Sequence, residues 1–203
     1  MLGSDFFEQD PVTCARSLIG MTFCWDGVAG IVVETEAYAE FGDEACHTFS
    51  RPSARRFIEH HSAGSAYVYL NYGVHWLTNV LIKNGQTNGF VLLRALAPVQ
   101  GLPAMRTRRG KEHASDLCSG PGKLSQALGI HGIHHGESLI ASPERAFLPA
   151  PEDAPAMTLA TGPRIGISKS AHLPWRFGWA DSPHLSAPFP KAGNPSGHLR
   201  RDE

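Results

Sequence analysis

The sequence has 203 residues, of which 42% are hydrophobic and 18% are charged. This composition excludes a disordered chain, and the length favours one domain over two small ones. No apolar run approaches the roughly 18 residues of a membrane span, and the acidic start lacks a secretory signal pattern. We therefore expect neither a membrane protein nor a secreted one. Without paired CxxC spacing, the four cysteines indicate free thiols in a reducing compartment: Cys14, Cys24, Cys46 and Cys118.

The net charge of −1 conceals an uneven distribution along the chain. Residues 1–50 contain nine acidic side chains and one basic side chain, a net of −8, whereas residues 51–203 contain 17 basic and 10 acidic ones, a net of +7. This asymmetry either gives the folded protein one basic and one acidic face or reflects only solvated surface charge.

The first predicted elements are a helix and two strands. Asp10 is suited to cap a helix that begins at Pro11 and ends at Gly20. Strands are predicted at Met21–Trp25 and Gly30–Tyr38, joined by a turn at Asp26-Gly27.

The second of these strands has an unusual face. A period of two places Val32, Glu34, Glu36 and Tyr38 together, opposite an apolar back. Two carboxylates beside a tyrosine are not typical of a core, and a solvent-exposed edge would not need the apolar back.

A long polar segment and a hairpin follow. Residues 39–65 are predicted as a loop with a short helix near Ala54–His60, and a loop of this length indicates binding. Strands at Ala66–Leu70 and His75–Ile82 form a hairpin whose turn, Asn71-Tyr72-Gly73, carries an aromatic residue at its tip.

The later signals are weaker. A strand is predicted at Phe90–Leu96, helices at Gly101–Arg109 and Lys123–Leu128, and short strands at Ser138–Ala141 and Arg164–Ser168. Hairpins interleaved with helices predict the α+β class with a mostly antiparallel sheet.

Arg94 is the only charged residue in the apolar strand at Phe90–Leu96. An unpaired buried charge costs several kcal/mol, about 3–5, so a carboxylate on another strand of the sheet, Glu36, is the expected partner. Such a pair is either catalytic or structural, and a strand with Arg94 facing water is the third option.

Three other motifs do not indicate a site. Ser119–Leu124 departs from a phosphate loop, because Leu117 and Leu124 replace the required Gly and Ser/Thr. His131, His134 and His135 lack a second ligand cluster, so we expect no metal. A nucleophile-elbow pattern is absent from the sequence.

Five segments in order over about residues 6–186 resemble the alkyladenine (3-methyladenine) DNA glycosylase family. They are Val33–Tyr38, Asp43–His47, Ala66–Gly73, Val91–Leu96 and Leu117–Leu124. The resemblance implies one domain over residues 1–203, with a curved sheet, a protruding hairpin and flanking helices. We expect the tail from about residue 190 to be disordered.

The resemblance also implies roles for individual residues. Glu36 matches the general base that activates water, and Arg94 lies beside the base and that water. Tyr72 matches the side chain that enters the duplex where the nucleotide was. In the base pocket, Tyr38 and Tyr69 match residues that stack on the base, and His47 matches one on the opposite wall. Asn79 matches a residue that disfavours the amino group of guanine. Leu185 matches a residue whose carbonyl helps to hold the water.

The implied activity is that of a monofunctional glycosylase that needs no cofactor. It flips an alkylated or deaminated purine such as hypoxanthine out of double-stranded DNA, hydrolyses its N-glycosidic bond and leaves an abasic site. The matched pocket motifs contain no lysine, which disfavours a covalent Schiff-base mechanism. Arg51, Arg55 and Arg56 in the long loop are expected to follow DNA phosphates. We expect a monomer, in the cytoplasm or nucleoid of a bacterium or in the nucleus of a eukaryote.

The sequence departs from the family at one place, where Glu59-His60 replaces the usual Met-Phe. If the altered loop spoils the site, the chain is a non-catalytic damaged-DNA-binding module. A third interpretation is a nucleoside hydrolase or acyl-type transferase that uses the Glu36/Arg94 pair.

Overall fold

A computed structural model of the chain describes residues 1–150 and 156–190. In this part of the chain, eight strands form one sheet. They are β1 Thr22–Trp25, β2 Val28–Ala39, β3 Ala66–Asn71, β4 His75–Ile82, β5 Gly89–Gln100, β6 Arg145–Leu148, β7 Leu159–Gly162 and β8 Arg176–Trp179.

The sheet is antiparallel in each of its pairings and curls into a half-barrel. Its main order is β3-β4-β5-β2-β1-β6, while β8 pairs with both β2 and β7. The long strand β2 therefore has β5 along one edge, and first β1 and then β8 along the other. The expectation of an α+β fold with a curved antiparallel sheet is confirmed.

Short helices flank this sheet. They are α1 Ser4–Phe7, α2 Pro11–Ser17, α3 His47–Ser50, α4 Pro52–His60, α5 Leu102–Arg109, α6 Ala114–Leu117, α7 Pro121–Leu128 and a 3-10 turn at Gly132–His134. The side chain of Asp10 caps α2 as the sequence predicted, since it accepts hydrogen bonds from the backbone of Val12 and Thr13. Among the described residues, no helix is both long and apolar enough to cross a membrane.

Helices and sheet enclose the main apolar core. Phe7, Leu18, Phe23 and Phe147 are fully buried in it. A smaller apolar cluster around Phe57, under α4, lies against Tyr38 and Tyr69. This second cluster supports one wall of the cavity described below.

Two irregularities in the pairing of β2 with β5 decide which side chains face the site. In β2, Val33 is an extra residue between Val32 and Glu34, which pair with the adjacent residues Leu96 and Ala95 of β5. In β5, Arg94 is an extra residue between Ala95 and Leu93, which pair with the adjacent residues Glu34 and Thr35. Such bulges re-aim side chains and occur next to active sites.

The bulges make one prediction wrong. Val32 does not share a face with Glu34 and Glu36, because it packs into the main core together with Ala37. The extra residue in β2 breaks the period of two, so the two glutamates face away from the core that Val32 joins.

The hairpin β3–β4 carries Tyr72 at its tip, where the side chain is 89% exposed. Tyr72 and Gly73 both have positive φ values, 50° and 69°, and the Val74 N–H donates to the Asn71 carbonyl. This geometry is that of a type I′ turn, which favours Asn or Gly at both central positions. A tyrosine there costs about 1–2 kcal/mol, which suggests a use other than stability.

The late part of the chain differs from the sequence prediction. Ser138–Ala141 and Arg164–Ser168 are not strands, and the strands found instead are β6, β7 and β8, each of four residues. The four cysteines are free thiols, as expected. The predicted disorder from about residue 190 lies outside the described residues.

Candidate active site

A cavity of about 250 Å³ opens beside the base of the hairpin. It lies between β3, β4 and β5 on one side and the segments around Ala45 and Ile165 on the other. Its aromatic and histidine lining consists of Tyr38, His47, Tyr67, Tyr69, Tyr72 and Phe90.

The aromatic walls are held by contacts with one another. The ring of Tyr69 lies 4.4 Å from that of His47, and Tyr67 stacks on Phe90 at 4.4 Å between centroids. The hydroxyl of Tyr67 is 3.1 Å from Nδ1 of His47. Burial, followed by the charge of Arg51, lowers the pKa of His47 to about 4, so this imidazole is neutral at pH 7.

Glu36 lies directly behind this cavity and is fully buried. Its Oε2 accepts a hydrogen bond from the Tyr38 hydroxyl at 2.7 Å, and its Oε1 accepts one from the backbone N–H of Ile165 at 2.7 Å. Nη1 of Arg94 is 3.2 Å from the same Oε1. All three partners line the cavity, although Glu36 itself is covered by them.

The partners of Glu36 are fixed in their charge states. Burial and then the neighbouring Glu36 carboxylate raise the pKa of Tyr38 well above its ordinary value, so the hydroxyl keeps its proton. Burial acts to lower the pKa of Arg94, but the carboxylates of Glu36 and Glu34 outweigh it and raise that pKa. The guanidinium therefore stays charged.

Arg94 also contacts Glu34, which sequence analysis did not assign to the site. Its Nε donates to Oε1 of Glu34 at 2.9 Å. That oxygen also accepts from Nε of Arg176 at 2.8 Å and from the Ser186 hydroxyl at 2.7 Å, while Oε2 accepts from the Ser186 N–H at 2.6 Å. Glu34 thus links strands β5 and β8 to the segment that follows them.

The two glutamates differ in what remains for a ligand. A carboxylate has about four positions that accept a hydrogen bond. Among the described residues, Oε1 of Glu34 has three donors and Oε1 of Glu36 has two, while Oε2 has one donor in each. All three partners of Glu36 line the cavity, whereas only Arg94 among the described partners of Glu34 does so. Both glutamates therefore keep one acceptor position on Oε2, but only that of Glu36 lies among partners that all line the cavity.

A second buried ion pair braces the opposite side of the cavity. Both Nη atoms of Arg164 donate to Asp43, at 2.6 and 2.8 Å, and neither side chain is exposed. The Arg164 guanidinium also lies 4.6 Å from the ring centroid of Tyr38. The pair fixes Tyr38 and the backbone next to Ile165, which are two of the three partners of Glu36.

The other residues that the sequence placed at the site are distributed unevenly. Asn79 lines the cavity and its Nδ2 donates to the Tyr67 carbonyl at 3.1 Å. Leu185 does not line it, although its neighbour Ser186 contacts both Glu34 and Arg94.

The three arginines proposed to contact DNA are exposed: Arg51 lies just before α4, and Arg55 and Arg56 lie within it. The Arg51 guanidinium is 5.5 Å from the ring centroid of Tyr69, at the edge of the cavity. Arg55 donates to the Thr48 carbonyl, so part of its side chain is already used in the fold. Among the contacts of the described residues, none within the fold uses the side chain of Arg56.

Sequence reasoning missed several residues of this site. Asp43 and Arg164 are 121 positions apart, and Glu34 and Ser186 are 152 apart, so no local pattern joins them. One signal was available: the acidic first quarter and the basic remainder of the chain. Buried carboxylates from residues 1–50 meet arginines from the later part.

The histidines near residue 131 have separate surroundings. His131 and His134 stack at 4.6 Å, while Nδ1 of His135 lies 2.8 Å from the Val68 carbonyl. Within residues 1–150 and 156–190, no group of three or more His, Cys, Asp or Glu side chains is arranged to hold a metal ion.

The chain matches the family model described as Methylpurine-DNA glycosylase (MPG) over residues 5–183. Its relatives include three proteins provisionally named 3-methyladenine DNA glycosylases. One from Rhodopseudomonas palustris CGA009 is 44% identical over 190 residues, which cover 92% of this chain and 88% of that protein. One from Nitrosospira multiformis is 45% identical over 90% of this chain and 92% of that protein.

The third relative, from Chlorobaculum tepidum, is 41% identical over 93% of this chain and 92% of that protein. The family match extends from the first helices to the segment beyond β8, and therefore includes the cavity and the buried pairs of arginine with Glu34, Glu36 and Asp43. The resemblance found in the sequence is confirmed: the chain belongs to the methylpurine-DNA glycosylase family.

Proposed function

We propose that this protein is a monofunctional 3-methyladenine-type DNA glycosylase of base-excision repair. It flips an alkylated or deaminated purine, hypoxanthine included, out of double-stranded DNA into the aromatic cavity. A water activated by Glu36 then hydrolyses the N-glycosidic bond and leaves an abasic site. Family membership and the arrangement around Glu36 support this proposal.

The observation that carries the proposal is the remaining acceptor position on Oε2 of Glu36. Tyr38, Ile165 and Arg94 occupy the rest of the carboxylate and also line the cavity. A water bound at the remaining position would lie between the carboxylate and a base held by the walls. General-base catalysis requires this reach, directly or through one water.

The charges suit the cleavage of a glycosidic bond. As the bond breaks, positive charge develops on the sugar, and a carboxylate beneath it stabilises that charge. Arg94 and the Tyr38 hydroxyl keep Glu36 oriented, while both retain their protons for the reasons given above. The rings of Tyr69 and His47 touch edge to face at 4.4 Å, so they belong to one wall and do not enclose a base between them. An extruded purine would gain about 1–3 kcal/mol for each aromatic ring on which it stacks.

The exposed tip of the hairpin is suited to offset part of the free-energy cost of flipping a nucleotide out of the duplex. A flipped nucleotide leaves a gap in the stack, and a side chain that fills it offsets part of a cost of a few kcal/mol. Tyr72 lines the cavity and projects from the protein. We assign to Asn79, which lines the cavity, the rejection of guanine through its exocyclic amino group; Leu185 lies outside the cavity lining and is given no contact with the water.

The test uses duplexes that carry one hypoxanthine or one ethenoadenine. Under single-turnover conditions, hot alkali should break the strand at the lesion after treatment with the wild-type protein, and no break should occur without alkali. Glu36→Gln should abolish release while the Kd for the lesion duplex stays within about tenfold.

Glu44→Gln is the matched control, because Glu44 is a surface carboxylate paired with Lys169 at 3.5 Å. Its rate should equal that of the wild type. Tight lesion binding by the wild-type protein without any alkali-labile site would establish the non-catalytic damage-binding module instead. Release of bases from free nucleosides, without salt-sensitive DNA affinity, would establish a nucleoside hydrolase.

A further inference from the structure

We propose that Glu34 is a positioning residue of this site, which holds Arg94 against Glu36 and couples that contact to the docking of residues 182–189. The proposal rests on the proposed function above. It differs from the assignment of Glu36, because Glu34 is argued to act only through Arg94.

Glu34 does not itself take part in the reaction. It is fully buried and does not line the cavity, and of its partners Arg94, Arg176 and Ser186 only Arg94 lines the cavity. Its carboxylate nevertheless lies one side-chain contact from Glu36, because both receive the same guanidinium.

The guanidinium of Arg94 is held through each of its nitrogens. Nε donates to Glu34, Nη1 faces Glu36 at 3.2 Å, and Nη2 donates to the Ser186 hydroxyl at 3.1 Å. The rigid fork of an arginine cannot rotate without losing several of these contacts at once. Since Arg94 is the extra residue in the β5 bulge, its backbone differs from a regular strand, and Glu34 determines where the side chain points.

The other donors of Glu34 hold residues 186–189 in place. Nε of Arg176 donates to Glu34, and its Nη atoms donate to the carbonyls of Ala187 and Pro188. The ring of Phe189 lies 4.0 Å from the Arg176 guanidinium. A Cβ on Gly178 would meet that ring at 2.5 Å, so the glycine is what allows Phe189 to pack there.

Glu34 is therefore the shared acceptor of three elements: β5 through Arg94, β8 through Arg176 and the later segment through Ser186. Removing its charge leaves Arg94 with Glu36 as its remaining carboxylate among the described residues. The guanidinium then settles on Glu36 in a new geometry and covers the acceptor position needed by water.

The first experiment measures single-turnover base release and lesion-duplex Kd for Glu34→Gln. The release rate should fall about 100-fold, the loss typical of a displacement of about 1 Å in a reacting group, while the Kd changes less than threefold. The control is a core variant far from the site, Phe147→Leu, chosen to lower stability. Glu34→Gln with the same release rate as this control would overturn the proposal.

A double-mutant cycle separates positioning from stability. In an Arg94→Met background, adding Glu34→Gln should change the release rate less than threefold, because Glu34 has no guanidinium left to place. Rate losses that multiply in the double variant would show that Glu34 acts independently of Arg94, and would refute the proposal.

Ser186→Ala supplies the same test if Glu34→Gln does not fold. It removes one hydroxyl that contacts both Glu34 and Arg94 and keeps the charges. Release should slow by about 2- to 12-fold, equivalent to one hydrogen bond, with the Kd unchanged, and an unaltered rate would count against the proposal. Should the wild-type protein release no base, the proposed function fails rather than this inference.

Discussion

Replacing Asp43 with asparagine tests whether the buried ion pair braces the cavity. The change keeps the shape of the side chain but removes the charge that Arg164 faces at 2.6 and 2.8 Å. The guanidinium stays buried and keeps its bonds to the carbonyls of Ala37 and Ser170. It loses its only carboxylate among the described residues.

The size of the effect follows from burial. Breaking a buried pair by removing one partner costs about 3–5 kcal/mol, which is a fifth or more of the roughly 5–15 kcal/mol that stabilises a typical domain. For a chain of this length, each kcal/mol lowers the Tm by about 2–4 °C. We therefore expect Asp43→Asn to lower the Tm by about 6–20 °C.

The assay is unfolding by urea and by heat, with Asp26→Asn as the matched control. Arg145 binds Asp26 through two bonds of 2.8 Å, but these side chains are 25% and 42% exposed. An exposed pair contributes about 0–1 kcal/mol. Equal losses in the two variants would refute the reasoning, because burial would then not decide what an ion pair contributes.

Three further predictions concern DNA binding and pH. Tyr72→Ala should weaken lesion binding by about 5- to 150-fold, the equivalent of one stacking contact of 1–3 kcal/mol, with no fall in Tm because the side chain is exposed; unchanged affinity would contradict insertion. Arg56→Ala should reduce the salt slope of DNA binding by about one unit, and an unchanged slope would remove Arg56 from the interface. The pKa of His47 is lowered to about 4, below 6.5, so its contribution to stability is full above pH 6.5 and lost as the pH falls toward 4. Between pH 7 and pH 5 the free energy of unfolding of His47→Gln should fall less than that of the wild type, and equal falls would exclude a buried neutral imidazole.

The sequence predicted those parts of the site that local patterns encode. The Asn71-Tyr72-Gly73 turn between two apolar strands predicted the hairpin, and the lone charge of Arg94 in an apolar strand predicted a carboxylate partner. The pair with Glu36 is present at 3.2 Å. Both inferences start from a local signal, a turn between two apolar strands in one case and a lone charge within an apolar run in the other.

The bulges could not be predicted in the same way. One extra residue in β2 moves Val32 into the core, and one in β5 gives Arg94 its position. A strand pattern holds no sign of where such a residue is inserted, since the alternation of apolar and polar side chains is interrupted only once. The strand pattern consequently placed Glu34 on a face of β2 but did not predict its hydrogen bonds with Arg94, Arg176 and Ser186.

The late strands were missed for a related reason. β7 and β8 have four residues each and gain their place by pairing with each other and with β2. Arg164, predicted to begin a strand, instead buries its side chain against Asp43. Contacts over more than 100 residues cannot be read from a single short window of sequence.

The distance along the chain between partners has a consequence for synthesis on the ribosome. Glu34 and Glu36 emerge early, whereas Ile165, Arg176 and Ser186 emerge after three quarters of the chain has been made. Until then, Glu34 lacks three of its four donors and Glu36 lacks one of its three, and β8 is not yet present to pair with β2. Translation that stops before residue 164 should therefore yield a product that chaperones and proteases recognise rather than a partly active enzyme.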